Sequence, residues 1–115
     1  MQKYNIFEQI IVDKNEENFF EIFKNEKIKI EKIVSNGQTS PENFWYEQEE
    51  NEFVLLLEGF AIVEFEDFEM ELKKGDCLNI GVMEKHRVKF TSLNEPTIWF
   101  AVFYWERRKF LNKNL

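Results

Sequence analysis

The 115 residues supply material for one sizeable core and not for two: 43% are hydrophobic, 17% are aromatic and thirteen are phenylalanine, which excludes a disordered chain and makes one domain the expectation. Twenty-two acidic residues against fifteen basic ones leave a formal net charge of −7, which repels phosphate backbones and anionic lipid, so neither nucleic acid nor a membrane surface is expected as a partner. The only cysteine, Cys77, has no internal disulfide partner, and the longest apolar run, residues 98–105, is far short of a membrane span, so a cytoplasmic location is expected.

In chain order, Asp13 followed by Glu16 has the form of a capping box, and Phe19, Phe20 and Phe23 then fall at helical spacing. This predicts a short amphipathic helix over 14–24, part of an extension of residues 1–25 packed on the main body. From Lys27 the period changes to two, with Ile28 and Ile30 opposing Lys27, Lys29 and Glu31, which reads as a strand. Ser35-Asn36-Gly37 ends it with turn chemistry, and a loop through Pro41 leads to the aromatic run Phe44-Trp45-Tyr46.

Beyond this loop the chain is strand and turn. Residues 53–57 are apolar on both faces and end at Glu58-Gly59, while 61–65 pair across Glu66-Asp67 with 68–72 as a hairpin. Lys73-Lys74-Gly75-Asp76 is the next turn, followed by the short strand 77–80, in which Cys77 reads as a small buried hydrophobe. After a loop over 81–85 comes a strand opened by the only histidine: in His86-Arg87-Val88-Lys89-Phe90, His86 shares its face with Val88 and Phe90 and points inward, where a lone imidazole needs a partner. The last strand, 97–105, is apolar on both faces, and the basic cluster Arg107-Arg108-Lys109 falls in a C-terminal tail of 106–115. Short, regularly spaced strands after one helical segment predict an all-β antiparallel sandwich or barrel.

Two segments, 52–59 and 75–86, resemble the two cupin motifs, G-x5-H-x-H-x(3,4)-E-x6-G and G-x5-P-x-G-x2-H-x3-N. Glu52 falls on the glutamate of the first motif and Gly59 on its closing glycine; Gly75 falls on the opening glycine of the second and His86 on its histidine. The resemblance covers residues 26–105, and the stretches 40–48 and 99–104 are similar to a branch of small single-domain bacterial cupins. It implies a double-stranded β-helix, or jelly-roll barrel, whose mouth often holds a metal bound by three histidines and a glutamate. The chain departs from that pattern at the two first-motif histidines, which fall on Tyr46 and Gln48 with one spacing and on Trp45 and Glu47 with the other. In the second motif Gly81 and Met83 replace the proline and glycine, and Phe90 replaces the asparagine.

With Glu52 on the same parity as Val54 and Leu56, closure of such a barrel brings it to His86, and the two side chains satisfy one another without a metal. A metal reading recruits Glu52, His86 and Gln48, with Glu47 as substitute if the strand is bulged, to a weakly held divalent ion: zinc, manganese, iron or nickel. The expected ligand pocket is Tyr46, Gln48, Glu52 and His86. The expected function is binding of a small polar or anionic molecule in the barrel. Alternatives are a metal-dependent isomerase, dioxygenase or lyase, and a homodimeric scaffold whose interface is a sheet with apolar outer residues such as those on 97–105. No nucleophile, base and orienter set and no glycine-rich phosphate loop is present, so no catalytic residue is assigned.

Overall fold

The computed structural model describes residues 1–105; the tail 106–115, with its basic cluster, lies outside them. Eight strands form two antiparallel sheets: β1 (Asn18–Lys24), β2 (Ile28–Ser35), β3 (Asn51–Glu58), β4 (Phe60–Phe65), β5 (Glu69–Lys73), β6 (Cys77–Ile80), β7 (His86–Thr91) and β8 (Thr97–Tyr104). The larger sheet has the order β1-β2-β8-β3-β6 and the smaller one β5-β4-β7. The all-β double-stranded architecture expected from the sequence is present, and no described helix is long and apolar enough to cross a membrane.

Period-two alternation builds the core. Val54 and Leu56 from β3, Ile80 from β6 and Trp99 from β8 point from the large sheet toward Ala61, Val63 and Phe65 from β4 and Leu72 from β5. Alternate residues of a strand lie on one face, so these side chains fill the space between the sheets. Leu56 and Ala61 are fully buried.

The chain passes from one sheet to the other at Gly59, between β3 and β4, with φ +94°. The turn between β5 and β6 is pinned from two sides. Asp76 accepts the Lys73 backbone N–H through its carboxylate at 2.9 Å, and the Gly75 N–H donates to the Leu56 carbonyl at 2.8 Å.

Two sequence expectations change here. Residues 14–24 are not helical. The Asp13 carboxylate accepts the Asn15 N–H at 2.8 Å in a local turn instead of capping a helix, and 18–24 run antiparallel to β2, from Asn18 opposite Val34 to Lys24 opposite Lys29. Without this strand β2 would carry a free row of backbone donors and acceptors at the sheet edge. Phe, Ile and Asn at these positions have no strong helix preference to set against that pairing. The 1–25 segment is therefore a coil and an edge strand of the large sheet, not a helical extension. Cys77 is exposed, because Leu78 and Ile80 take the inward positions of β6 and leave Cys77 and Asn79 outside. The 97–105 strand, apolar on both faces, is β8 at the centre of the large sheet between β2 and β3.

Candidate functional site

β7 presents His86 inward, only 6% exposed. The segment before β3 reaches it through a single antiparallel bridge: the Tyr46 N–H donates to the His86 carbonyl at 2.8 Å, and the His86 N–H to the Tyr46 carbonyl at 3.1 Å. The two rings stack, with centroids 5.7 Å apart and planes at 28°. Phe44 meets Tyr46 edge-on at 4.8 Å, an arrangement favoured by the ring quadrupoles.

This segment is laced to β7 further along. The Ser40 N–H donates to the Val88 carbonyl at 2.9 Å, and the Ser40 hydroxyl accepts the Val88 N–H at 2.9 Å. Arg87 spans the same strands from the outside, donating to Glu64 at 2.9 Å and to the Ser40 and Pro41 carbonyls at 3.2 and 3.3 Å. Arg87→Ala is expected to cost about 1–2 kcal/mol, because two carbonyls and a carboxylate lose a charged donor together. It should also speed amide exchange at Tyr46 and Val88. Exchange at those amides as slow as in the wild type would show that Arg87 does not hold the segment in place.

The loop over 81–85 sets the imidazole. Met83 stands where the resembled motif has glycine, yet it adopts the left-handed conformation at φ +61°, held by its N–H donating to the Gln48 carbonyl at 2.7 Å. The Gly81 N–H donates to the Glu84 carboxylate at 3.0 Å, and the Glu84 backbone carbonyl lies 2.9 Å from His86 Nδ1. A carbonyl only accepts, so Nδ1 carries the proton, and Nε2 is the nitrogen that faces Glu52. Nε2 and Glu52 Oε1 are 3.5 Å apart, both side chains well buried.

Glu52 Oε1 also accepts the Gln48 amide N–H at 2.9 Å. In a neutral ring with Nδ1 protonated, the Nε2 lone pair would confront the carboxylate; a second proton turns that contact into attraction. Burial, the largest single influence, pulls the His86 pKa down. Glu52 and the Glu84 carbonyl together outweigh burial and leave it above the ordinary 6.5. The Tyr46 phenol is pushed above its ordinary 10.0, by burial first and then by the charges of Glu17 and Glu52.

These groups open onto a cavity of about 140 Å³ between the sheets. At roughly 10–15 Å³ for one water, that is room for on the order of ten waters or one small ligand. Tyr46, Gln48, Glu52 and His86 all line it, so the four residues singled out from the sequence come together. Glu47 does not join them; it is exposed and lies 3.9 Å from Lys85. Trp99 and Phe103 of β8 and Phe19 of β1 complete the aromatic wall.

Glu17 lines the same cavity and was missed in the sequence because it lay at the start of the expected helix. Only the pairing of β1 with β2 brings it there. Its carboxylate accepts the Ser35 hydroxyl proton, and burial, partly offset by that bond, holds its pKa above 4.5.

A protein of Ralstonia eutropha JMP134, provisionally named a mannose-6-phosphate isomerase, is 34% identical over 92% of this chain and 100% of its own, with a TM-score of 0.88. A cupin superfamily protein of Desulfitobacterium hafniense DCB-2 superposes over 84% of each chain at 15% identity and a TM-score of 0.71. The cupin domain of Schizosaccharomyces pombe Cnp3 superposes over 85% of this chain and 66% of its own, at 14% identity and a TM-score of 0.70; these last two show likeness of fold alone. No protein-family model matches the sequence, and no curated protein matches it. The glutamate and histidine that the motif spacing aligned do meet at the mouth of a two-sheet barrel, and a relative is similar from end to end at one residue in three: the chain belongs to the cupin superfamily.

Proposed function

We propose that the protein binds one small polar molecule in its barrel, oriented by Gln48, Glu52 and His86 with Tyr46 at the mouth. The observation that carries this reading is the cavity itself: apolar and aromatic walls around a few convergent polar groups, one of them a buried imidazole with a raised pKa. The anionic ligand expected from the sequence has less behind it. Among the described residues no lysine or arginine lines the cavity, whereas two carboxylates do. The same lining weighs against a sugar phosphate of the kind that the Ralstonia protein's name indicates, since a phosphate calls for cationic or backbone donors.

The fold family implies a divalent metal, and the donors present fit one poorly. Among the described residues no three of His, Cys, Asp and Glu come together. His86 and Glu52 are the two strong donors, and Gln48 directs its amide N–H, not its oxygen, at Glu52. Turning that amide would add a third, weaker donor at the cost of its bond to Glu52, so zinc, manganese, iron or nickel would be held loosely.

A melting screen with nuclear magnetic resonance of the one imidazole tests the reading. The panel is glucose 6-phosphate, succinate, glycerol and butylamine. At least one compound is expected to move the His86 ring signals and raise the melting temperature, by about 2.7 kcal/mol of stabilisation at a hundredfold excess over its Kd. Equimolar manganese, zinc or nickel alone should leave the melt unchanged. If no compound moves either signal, the binding reading is wrong; a large shift with metal alone would restore the metal-dependent alternatives.

A further inference from the structure

Glu17 is the one cavity carboxylate that lies outside both motifs, and among the described residues its hydrogen-bond partner is the neutral Ser35 hydroxyl. Trp99 Nε1 donates to the Ser35 hydroxyl oxygen at 3.0 Å, and that hydroxyl donates its single proton to Glu17. Indole nitrogen can only donate, so this chain has one direction and ends on Glu17 as acceptor. Ser35 is fully buried and Trp99 only 6% exposed, so water does not readily replace either bond.

Among the described residues, no lysine, arginine or histidine lies within 4 Å of the Glu17 carboxylate, whereas six other cations find an acidic partner at that distance. Glu52 is different: it has the Gln48 amide and the His86 ring. With His86 charged, the described residues that line the cavity supply two carboxylates against one cation, and with His86 neutral two against none. The deficit is one or two positive charges.

The walls say what kind of charge would make up the deficit. A bare divalent ion needs several oxygen or nitrogen donors, and toward Glu17 the cavity offers rings instead: Phe19, Tyr46 and Trp99. Aromatic faces attract organic cations and shelter their carbon groups, by ~0.5–2 kcal/mol for each well-placed ring. Building on the proposed binding role, we propose that the barrel cavity takes an organic cation, a primary or methylated ammonium on a short apolar chain, with Glu17 as its counter-ion and the rings of Tyr46 and Trp99 beside it.

Four probes of similar size separate the possibilities: butylammonium and tetramethylammonium as cations, 1-butanol as the neutral analogue, and butyrate as the anion. An alkylammonium resembles a lysine side chain, whose pKa is about 10.4, and stays charged at pH 7. Both cations are expected to shift the Trp99 indole N–H signal and to bind at least tenfold more tightly than 1-butanol, with butyrate weakest. Glu17→Gln keeps an oxygen for the Ser35 proton and removes only the charge. It should reduce cation affinity at least tenfold and leave the binding of 1-butanol unchanged, with Glu17→Asp recovering part of the loss. The near-ultraviolet circular dichroism of each variant verifies its fold, and if Glu17→Gln does not fold, the ranking of the four probes on the wild type decides alone. Butanol or butyrate binding as tightly as the cations, or cation affinity intact in a folded Glu17→Gln variant, overturns the assignment and leaves the binding role standing. If nothing binds from these probes or from the broader panel, both fall.

Discussion

Gly59→Ala is expected to destabilise the fold by about 3 kcal/mol, a large fraction of the ~5–15 kcal/mol that holds a domain of this size together. Two costs combine. The backbone at Gly59 has φ +94°, a left-handed conformation that costs a side-chain-bearing residue roughly 1–2 kcal/mol. An added Cβ would also fall 2.6 Å from Thr97 Cα and 2.8 Å from its Cβ. Those atoms belong to the start of β8 in the centre of the large sheet and cannot swing aside as the end of a flexible chain would, so overpacking adds roughly 1–3 kcal/mol.

Gly75→Ala is the internal control. Its φ is +93°, almost the same, but nothing lies within 4 Å of the added carbon, so only the roughly 1–2 kcal/mol of backbone strain applies. Chemical denaturation of both variants separates the two terms. Equal losses at the two glycines would mean that the approach of Thr97 carries no energy.

Glu52→Gln is expected to lower the pKa of His86. In the wild type the imidazole titrates above 6.5 because Glu52 and the Glu84 carbonyl together outweigh burial. Removing the carboxylate charge leaves burial, the largest single influence, opposed mainly by Glu84, and the pKa should fall below the wild-type value and toward or under 6.5. With one histidine in the chain, a proton resonance titration reads this without assignment. An unchanged titration in Glu52→Gln would show that the carboxylate does not act on His86.

The same pair makes stability depend on pH, and the sign follows from proton uptake. Between pH 6.5 and the raised folded pKa the native protein holds more protons than the unfolded chain. Stability therefore falls as pH rises through that window and is fully present below it. In Glu52→Gln this downward slope should flatten, because the folded pKa moves down toward the unfolded one.

The legibility of the chain tracks the range over which each physical cause acts. Alternation is local, and for that reason the ends of β6 at Cys77 and Ile80, the 61–72 hairpin and the inward direction of His86 could be read directly from the residues. The same alternation turns Cys77 outward, since Leu78 and Ile80 take the inward face of β6. Positive φ at Gly59 and Gly75 was likewise signalled by residue type, whereas Met83 at φ +61° was not, because its conformation is set by a hydrogen bond to Gln48, 35 residues away in sequence.

For the candidate site, the amino-acid sequence by itself determined the face that carries Glu52 and His86, the spacing that aligned them with the cupin motifs, and the replacement of two expected histidines by Tyr46 and Gln48. Tertiary structure alone decided the rest. Residues 18–24 became a strand because β2 had an unsatisfied edge, a demand invisible within the segment itself. That pairing carried Glu17 into the barrel, beside Ser35 and Trp99, which are 18 and 82 residues distant along the chain. Propensity and period are properties of neighbours in sequence, whereas the charge balance of the cavity is a property of neighbours in space.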